Sequence, residues 1–137
     1  MTLRVMVVED QPLHRKMFKA WLTSAGFQTI MVSDERTAQG VATEQSPDIA
    51  LIDIRLPHIS GLDIIERLKG TAATANIPVM AVTVLSTRSD EAACYAAGAD
   101  HFMTKPTNMH LLTEAIVSLV GASASSTQLN VLRPEGQ

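Results

Sequence analysis

The sequence lacks the features that mark secreted and membrane proteins. Its 137 residues include one cysteine, Cys94, so no intramolecular disulfide can form. No apolar run approaches the roughly 18 residues that a membrane-spanning helix needs. The first residues show no charged segment followed by a long apolar one, so we expect no signal peptide. We therefore expect a cytoplasmic protein that does not insert into a membrane.

Charged residues are also scarce, at 18% of the chain, and the formal net charge is -3. Because proteins that contact nucleic acid directly usually carry a basic patch, we expect no such contact. The four histidines are scattered without the spacing of metal ligands on one helix, so we interpret them as surface or partly buried residues. Hydrophobic residues make up 46% of the chain, which is ordinary for one globular domain of this length.

Short apolar runs alternate with helical patterns along the chain. Strands are predicted over residues 4–8, 28–32, 49–52, 78–82 and 101–104, and helices over residues 12–25, 34–44, 62–69, 89–97 and 108–120. Strands that are each followed by a helix predict a parallel sheet with helices on both faces. Four residues at four-residue spacing predict the buried face of the first helix: Leu13, Met17, Trp21 and Ala25.

The last part of the chain, residues 121–137, has a different composition. It is rich in glycine, alanine, serine and threonine, and it is too short and polar for a second domain. We therefore assign residues 1–120 to one domain and predict a disordered tail over residues 121–137. A docking segment or the start of a linker are the alternatives for this tail.

Acidic residues follow two of the predicted strands. Glu9 and Asp10 come directly after the first strand, and Asp53 ends the third. In parallel α/β sheets, ligands bind outside the carboxyl ends of the strands. Carboxylates that lie close together repel one another unless a cation intervenes, and Mg²⁺ prefers oxygen ligands. The acids therefore predict a magnesium site at this end of the sheet.

Two further polar residues end the fourth and fifth strands, namely Thr83 and Lys105. A carboxylate such as Asp53 can attack phosphorus and form an aspartyl phosphate. A metal ion and a lysine would offset the charge on the transferring group, and a threonine hydroxyl can hydrogen-bond one of its oxygens. Each residue alone is typical of a solvated strand end, but their combination favours a phosphoryl-accepting site, which His14 could border.

These residues together resemble the receiver domain of two-component response regulators. The resemblance covers about residues 3–120 and depends on VVED at 7–10, IDIRLP at 52–57, Gly61, AVT at 81–83, and GAD at 98–100 followed by Lys105-Pro106. It implies an α/β, flavodoxin-like fold, which is a doubly wound five-stranded parallel sheet with five helices. The strand order 2-1-3-4-5 also follows from the resemblance and not from the sequence pattern.

The resemblance also implies a role for individual residues. Asp53 corresponds to the phosphoacceptor, Lys105 to the phosphate-binding lysine, and Thr83 and Phe102 to the switch residues. Mg²⁺ would be held by Glu9, Asp10, Asp53 and the backbone carbonyl of Arg55. The usual donor is a phosphohistidine on a histidine kinase or a histidine phosphotransfer protein, and the switched domain acts on a downstream protein that the sequence does not identify. The Lys105–Pro106 peptide is often cis in the family.

The chain departs from the family pattern at several positions. Val84 stands where a small residue is usual, and we expect its bulk to slow both phosphorylation and phosphate loss. Phe102 stands where tyrosine is common, so no hydroxyl is available there after a switch. Arg55 and Leu85 flank the site at positions that vary in the family.

Four functions remain open at this point. The first is a stand-alone phosphoacceptor that is not an enzyme, and residues 54–62 resemble those of single-domain cell-cycle receivers. The second is the receiver of a larger regulator with an output domain. The third is a phosphatase with an aspartyl nucleophile, which would want a second acid where Arg55 stands. The fourth is a degenerate receiver that binds partners without phosphate, and the intact Asp53, Thr83 and Lys105 argue against it.

Overall fold

The computed structural model describes residues 2–84, 87–105 and 107–132. Within them, strands and helices alternate as the sequence pattern predicts. The strands are β1 (Arg4–Val8), β2 (Gln28–Val32), β3 (Ile49–Asp53), β4 (Val79–Thr83) and β5 (His101–Thr104). The helices are α1 (Pro12–Ser24), α2 (Ala38–Gln45), α3 (Gly61–Gly70), α4 (Arg88–Ala97) and α5 (Met109–Leu132), and a 3-10 turn (Glu35–Thr37) precedes α2.

All the strands pair in parallel, in the order β2-β1-β3-β4-β5. This is the predicted doubly wound sheet. The register aligns Val8 of β1 with Ile52 of β3, and Asp53 of β3 with Val82 of β4. The carboxyl ends of the central strands therefore meet at one edge, where the polar residues singled out from the sequence follow them.

The sheet separates two apolar layers, because successive strand residues point to opposite faces. On one face, Met6 and Val8 pack in a cluster with residues of α2, α3 and α4. On the other face, Val5 and Val7 pack with residues of α1 and α5. Both faces are covered, so β3 and β4 are buried along their whole length.

The predicted buried face of α1 is wrong in part. Leu13 is 72% exposed and Ala25 is exposed, whereas Phe18 and Leu22 are buried. Four-residue spacing drifts around a helix of 3.6 residues per turn, so one such row cannot stay on the sheet over three turns. The stripe that faces the sheet instead centres on Phe18 and Leu22.

The last helix is longer than predicted. The sequence pattern ends it near Val120, before Gly121, but α5 continues to Leu132. One glycine costs a helix only about 1 kcal/mol, alanine is the best helix former, and no proline follows in the chain before Pro134. The division into a domain of residues 1–120 and a disordered tail of 121–137 stays a prediction. No helix in the described part of the chain is both long and apolar enough to cross a membrane.

Candidate functional site

Three acids meet at the carboxyl ends of β1 and β3. One carboxylate oxygen from each of Glu9, Asp10 and Asp53 lies within 4.8 Å of the other two. Glu9 is 2% exposed, Asp53 is 7% exposed, and Asp10 is half-buried. The backbone N–H of Glu9 donates to the carbonyl of Val32 and continues the β1–β2 ladder past the end of the strand. The predicted acidic cluster is therefore formed, and the sheet itself positions it.

Lys105 places a cation among these acids. Its backbone N–H donates to the carbonyl of Thr83 at 2.7 Å, which holds the residue against the end of β4. Its Nζ donates to Glu9 Oε1 at 2.7 Å and lies 3.4 Å from Asp53 Oδ2. The side chain is 3% exposed, so this ammonium and the two carboxylates form a buried charged network. A buried ion pair needs such close partners to offset the loss of hydration.

Asp53 is a weaker acid than an ordinary aspartate. Burial, and next the negative charge of Glu9, raise its pKa to about 6. The ammonium of Lys105 and the backbone N–H of Arg55, which donates to Asp53 Oδ1 at 3.1 Å, act in the opposite direction. The carboxylate is thus held in place, but its negative charge is not fully compensated by the residues around it.

Thr83 ends β4 with a buried hydroxyl that has no partner among the described residues. The residue is 1% exposed, and its Oγ1 makes no hydrogen bond within this part of the chain. An unpaired buried hydroxyl costs about 1–3 kcal/mol, so such a group in a folded protein calls for an explanation. A ligand oxygen bound beyond the strand ends would supply the missing partner.

Arg55 lies at the start of the loop that follows β3. Its guanidinium approaches Asp90 of α4, with Nη2 3.6 Å from Oδ2. The use of its backbone carbonyl as a metal ligand stays a prediction. The half-buried Phe102 packs against the apolar cluster of α2, α3 and α4, and Val84 is 44% exposed. Leu85 and Pro106, including the expected cis peptide, lie outside the described residues.

His14 lies beside the charged groups of the site. Its Nδ1 is 3.0 Å from Lys105 Nζ and 3.9 Å from Glu9 Oε2. Burial and then the charge of Lys105 lower the pKa of His14, which favours a neutral ring whose nitrogen can accept a hydrogen bond from the ammonium. Its position in the first turn of α1, close after the acidic pair, is the sequence signal for this contact.

The donor set fits Mg²⁺. The three clustered acids provide carboxylate oxygens, the ligands that this ion prefers. Burial and the charge of Glu9 raise the pKa of Asp53 more than Lys105 lowers it, so a further cation beside Asp53 would stabilise the ionised carboxylate. The Thr83 hydroxyl, unpaired among the described residues, lies at the end of the neighbouring strand. Together these features suit a divalent cation with an anionic ligand beside it.

Comparisons with known proteins identify the family. The response regulator receiver domain family matches residues 5–117. A curated relative, the polar-differentiation response regulator DivK of Brucella ovis, is 36% identical over 121 residues, which cover 88% of this chain and 98% of the relative.

Solved structures agree with this match. The receiver domain of the Pseudomonas aeruginosa sensor histidine kinase PA1611, with a magnesium ion coordinated in its active site cleft, superposes with a TM-score of 0.82 at 26% identity and covers 88% of this chain and 99% of that one. A CheY-like receiver domain protein of Methanospirillum hungatei, at 21% identity, has a TM-score of 0.85 over 92% of this chain and 99% of its own, and shows the same fold. The chain therefore belongs to the response regulator receiver domain family of two-component signalling.

Proposed function

We propose that this receiver accepts a phosphoryl group from a phosphohistidine onto Asp53, in the presence of Mg²⁺, and thereby changes its affinity for a partner protein. The donor is a histidine kinase or a histidine phosphotransfer protein in the cytoplasm. One observation carries the proposal: the buried Asp53 carboxylate lies within the cluster of Glu9 and Asp10, with the ammonium of Lys105 3.4 Å away.

The transfer uses groups that the site already holds. A carboxylate oxygen of Asp53 attacks the phosphorus, the new O–P bond forms, and the P–N bond to the donor imidazole breaks. The imidazole keeps the electron pair of that bond and takes up a proton from solvent. Lys105 offsets negative charge on the transferring group, and the hydroxyl of Thr83, which has no partner among the described residues, is available to donate to one of its oxygens.

Glu9, Asp10, Asp53 and the backbone carbonyl of Arg55 would hold the Mg²⁺. When bound, the ion neutralises charge on the phosphoryl oxygens. The magnesium in the related Pseudomonas receiver domain supports this assignment, and so does the all-oxygen donor set here. The acids themselves would position the metal, because Glu9 and Asp53 are fixed by the sheet.

The output is a change in binding rather than catalysis on a separate substrate. Thr83 would move toward the phosphoryl group, and Phe102 would pack further inward, which costs no buried hydroxyl because phenylalanine has none. The downstream partner is a protein. The DivK relative, 36% identical over 121 residues, supports a DivK-like regulator.

Intact mass spectrometry tests the phosphoacceptor. The parent protein, incubated with Mg²⁺ and a small phosphodonor such as acetyl phosphate, should gain the mass of one base-labile phosphoryl group. The Asp53→Ala variant should gain none, and Asp63→Ala, which removes an acid in the first turn of α3, should behave like the parent. A base-labile phosphoryl group on Asp53→Ala would refute the assignment. Phosphotransfer profiling against the histidine kinases of the host then identifies the donor.

A further inference from the structure

Glu35 is a buried acid outside the proposed phosphorylation site. It begins the 3-10 turn between β2 and α2 and is 2% exposed. Its Oε2 accepts hydrogen bonds from two successive backbone N–H groups, those of His58 at 2.5 Å and Ile59 at 3.2 Å. Through these hydrogen bonds, the buried carboxylate connects the 3-10 turn before α2 to the backbone at residues 58–59.

The carboxylate of Glu35 is ionised when it makes these bonds. Burial by itself would raise its pKa, but hydrogen bonds from its own backbone N–H and from those of His58 and Ile59 outweigh burial and hold the pKa below the usual value. Charge-assisted hydrogen bonds of this kind are about twice as strong as neutral ones. Glu35 is therefore an effective anchor for the backbone that it contacts.

The anchored backbone is the loop of residues 54–60, which joins the phosphoacceptor to α3. At its start, the N–H of Arg55 donates to Asp53 Oδ1. At its end, the N–H of Gly61 donates to the carbonyl of Ile54 at 3.0 Å, and a Cβ on Gly61 would lie 2.2 Å from the carbonyl oxygen of Asp53. Both ends of the loop are thus fixed beside Asp53, while Glu35 holds its far side from another element.

We propose that Glu35 is a positioning residue for the metal and phosphorylation site. By fixing His58 and Ile59, it confines the loop to the conformation in which Arg55 lies beside Asp53. This inference rests on the proposed function, because it assigns the Arg55 carbonyl to the metal. A loop that must be ordered before it can contribute a ligand weakens binding by the free energy of that ordering.

Calorimetric titration with Mg²⁺, well below the unfolding temperature, tests the proposal. Glu35→Ala removes both hydrogen bonds and should weaken Mg²⁺ binding about five- to tenfold. Glu35→Gln keeps an acceptor oxygen of the same reach and should retain most of the affinity. Glu44→Ala, which removes an exposed glutamate of α2 with the same change of charge, should bind Mg²⁺ like the parent.

Amide hydrogen exchange and phosphorylation supply independent measurements. The amides of His58 and Ile59 should exchange faster in Glu35→Ala. The same variant should be phosphorylated by acetyl phosphate more slowly at low Mg²⁺ and at the parental rate at saturating Mg²⁺, because saturation restores the metal occupancy that the loosened loop has lowered. A purely structural role would lower the unfolding temperature and leave Mg²⁺ affinity unchanged.

The outcomes separate this inference from the proposed function. If Glu35→Ala binds Mg²⁺ as tightly as Glu44→Ala does, Glu35 does not position the site. If Glu35→Ala does not fold, Glu35→Asp takes its place in the titration. This variant keeps the charge but is one methylene too short, so it should show the same loss of Mg²⁺ affinity. Parental Mg²⁺ affinity of Glu35→Asp would then refute the proposal. If the parent binds Mg²⁺ but Asp53 takes no phosphoryl group, the proposed function fails while the effect of Glu35 on the metal can still be measured.

Discussion

At the scale of single residues, the most consequential contact is that of Lys105 with the acids. Its Nζ lies 2.7 Å from Glu9 Oε1 and 3.4 Å from Asp53 Oδ2, so it offsets charge on two of the three carboxylates that would hold a metal. A divalent cation needs the same oxygens. The ammonium of Lys105 and Mg²⁺ therefore compete for these carboxylate oxygens.

This competition predicts that two substitutions at the site differ in their effect on Mg²⁺ affinity. Lys105→Ala should leave Mg²⁺ affinity unchanged or raise it severalfold, because it removes the competing cation. Asp10→Ala should lower the affinity about tenfold or more, because it removes a charged ligand. Calorimetry is more suitable than tryptophan fluorescence for measuring Mg²⁺ binding. The one tryptophan, Trp21, packs edge-on against Phe18 in the apolar cluster of α1 and α5 and not among the acids. Parental Mg²⁺ binding by Asp10→Ala would show that the site geometry is wrong.

The raised pKa of Asp53 predicts how pH affects the metal-free protein. The folded state binds the proton with a pKa of about 6, against a usual value of 3.8, so protonation favours folding. The stability contributed by this proton is present at low pH and is lost as pH rises from about 4 through 6. Asp53→Asn should therefore stabilise the metal-free protein at pH 7.5, by about 1–3 kcal/mol.

Urea unfolding in a chelator measures this effect. The advantage of Asp53→Asn should shrink toward pH 4.5 and should reverse with Mg²⁺, which requires the ionised carboxylate. Equal stability of the two proteins at pH 7.5 would mean that Asp53 carries no penalty from burial. Mg²⁺ affinity of the parent should likewise fall as pH drops below about 6.

Val84 is the residue that we expect to slow both the phosphorylation of this receiver and the loss of its phosphoryl group. It directly follows Thr83, is 44% exposed, and has a stiff β-branched side chain. Val84→Ala should accelerate both phosphorylation from a small donor and loss of the phosphoryl group, because both need access to the same side of phosphorus. If neither rate changes, the side chain points away from the site. If one rate changes alone, shared crowding is not the cause.

At the scale of elements, the end of the loop before α3 is the tightest junction near the site. Gly61 begins α3, and a Cβ there would meet the Asp53 carbonyl oxygen at 2.2 Å and the Ile54 Cα at 2.6 Å. These are backbone atoms, so no side-chain rotation can make room. Strand β3 and α3 can pack this closely only because residue 61 has no side chain.

Gly61→Ala should therefore lower the free energy of unfolding by about 2–4 kcal/mol and disturb Mg²⁺ binding. Gly40→Ala is the matched control. Gly40 lies within α2, where a Cβ would meet nothing within 4 Å, so this variant should gain about 0.5–1 kcal/mol. Denaturant unfolding of the two variants measures both effects. If Gly61→Ala leaves the free energy of unfolding unchanged, the loop can shift enough to accommodate the added methyl group.

Short-range side-chain caps begin several of the helical elements. Asp34 accepts from the N–H of Arg36 at the start of the 3-10 turn, and Asn108 accepts from the N–H of Leu111 at the start of α5. The capping box of Thr87 and Asp90 at the start of α4 was not predicted. Caps can be found in a sequence because a cap and its partners lie within a few residues of each other.

At the scale of the whole molecule, residues of α5 that precede Gly121 pack into the core. Leu112 and Ile116 of α5 are fully buried, and Leu119 and Val120 pack beside them. A chain that stops after Gly121 should keep its free energy of unfolding within about 0.5 kcal/mol and be phosphorylated at the parental rate. A large loss of stability would show that residues 122–137 belong to the domain.

The sequence by itself determined the order and type of the elements and the residues at the strand ends. Alternating strand and helix patterns imply a parallel sheet, and such a sheet must bring its carboxyl ends to one edge. Glu9, Asp10, Asp53, Thr83 and Lys105 were identified this way, with the resemblance to the receiver family adding their roles. These inferences succeed because they depend on short-range periodicity and on few allowed topologies.

Only the tertiary structure decided which distant groups touch. The bond of Lys105 to Glu9 and the hydrogen bonds of Glu35 to the loop of residues 54–60 leave no short-range pattern. The face of α1 that meets the sheet also depended on packing against α5 and the strands. Such contacts are set by how the layers fit together in three dimensions, and a side chain's neighbours in space are not encoded by its neighbours in sequence.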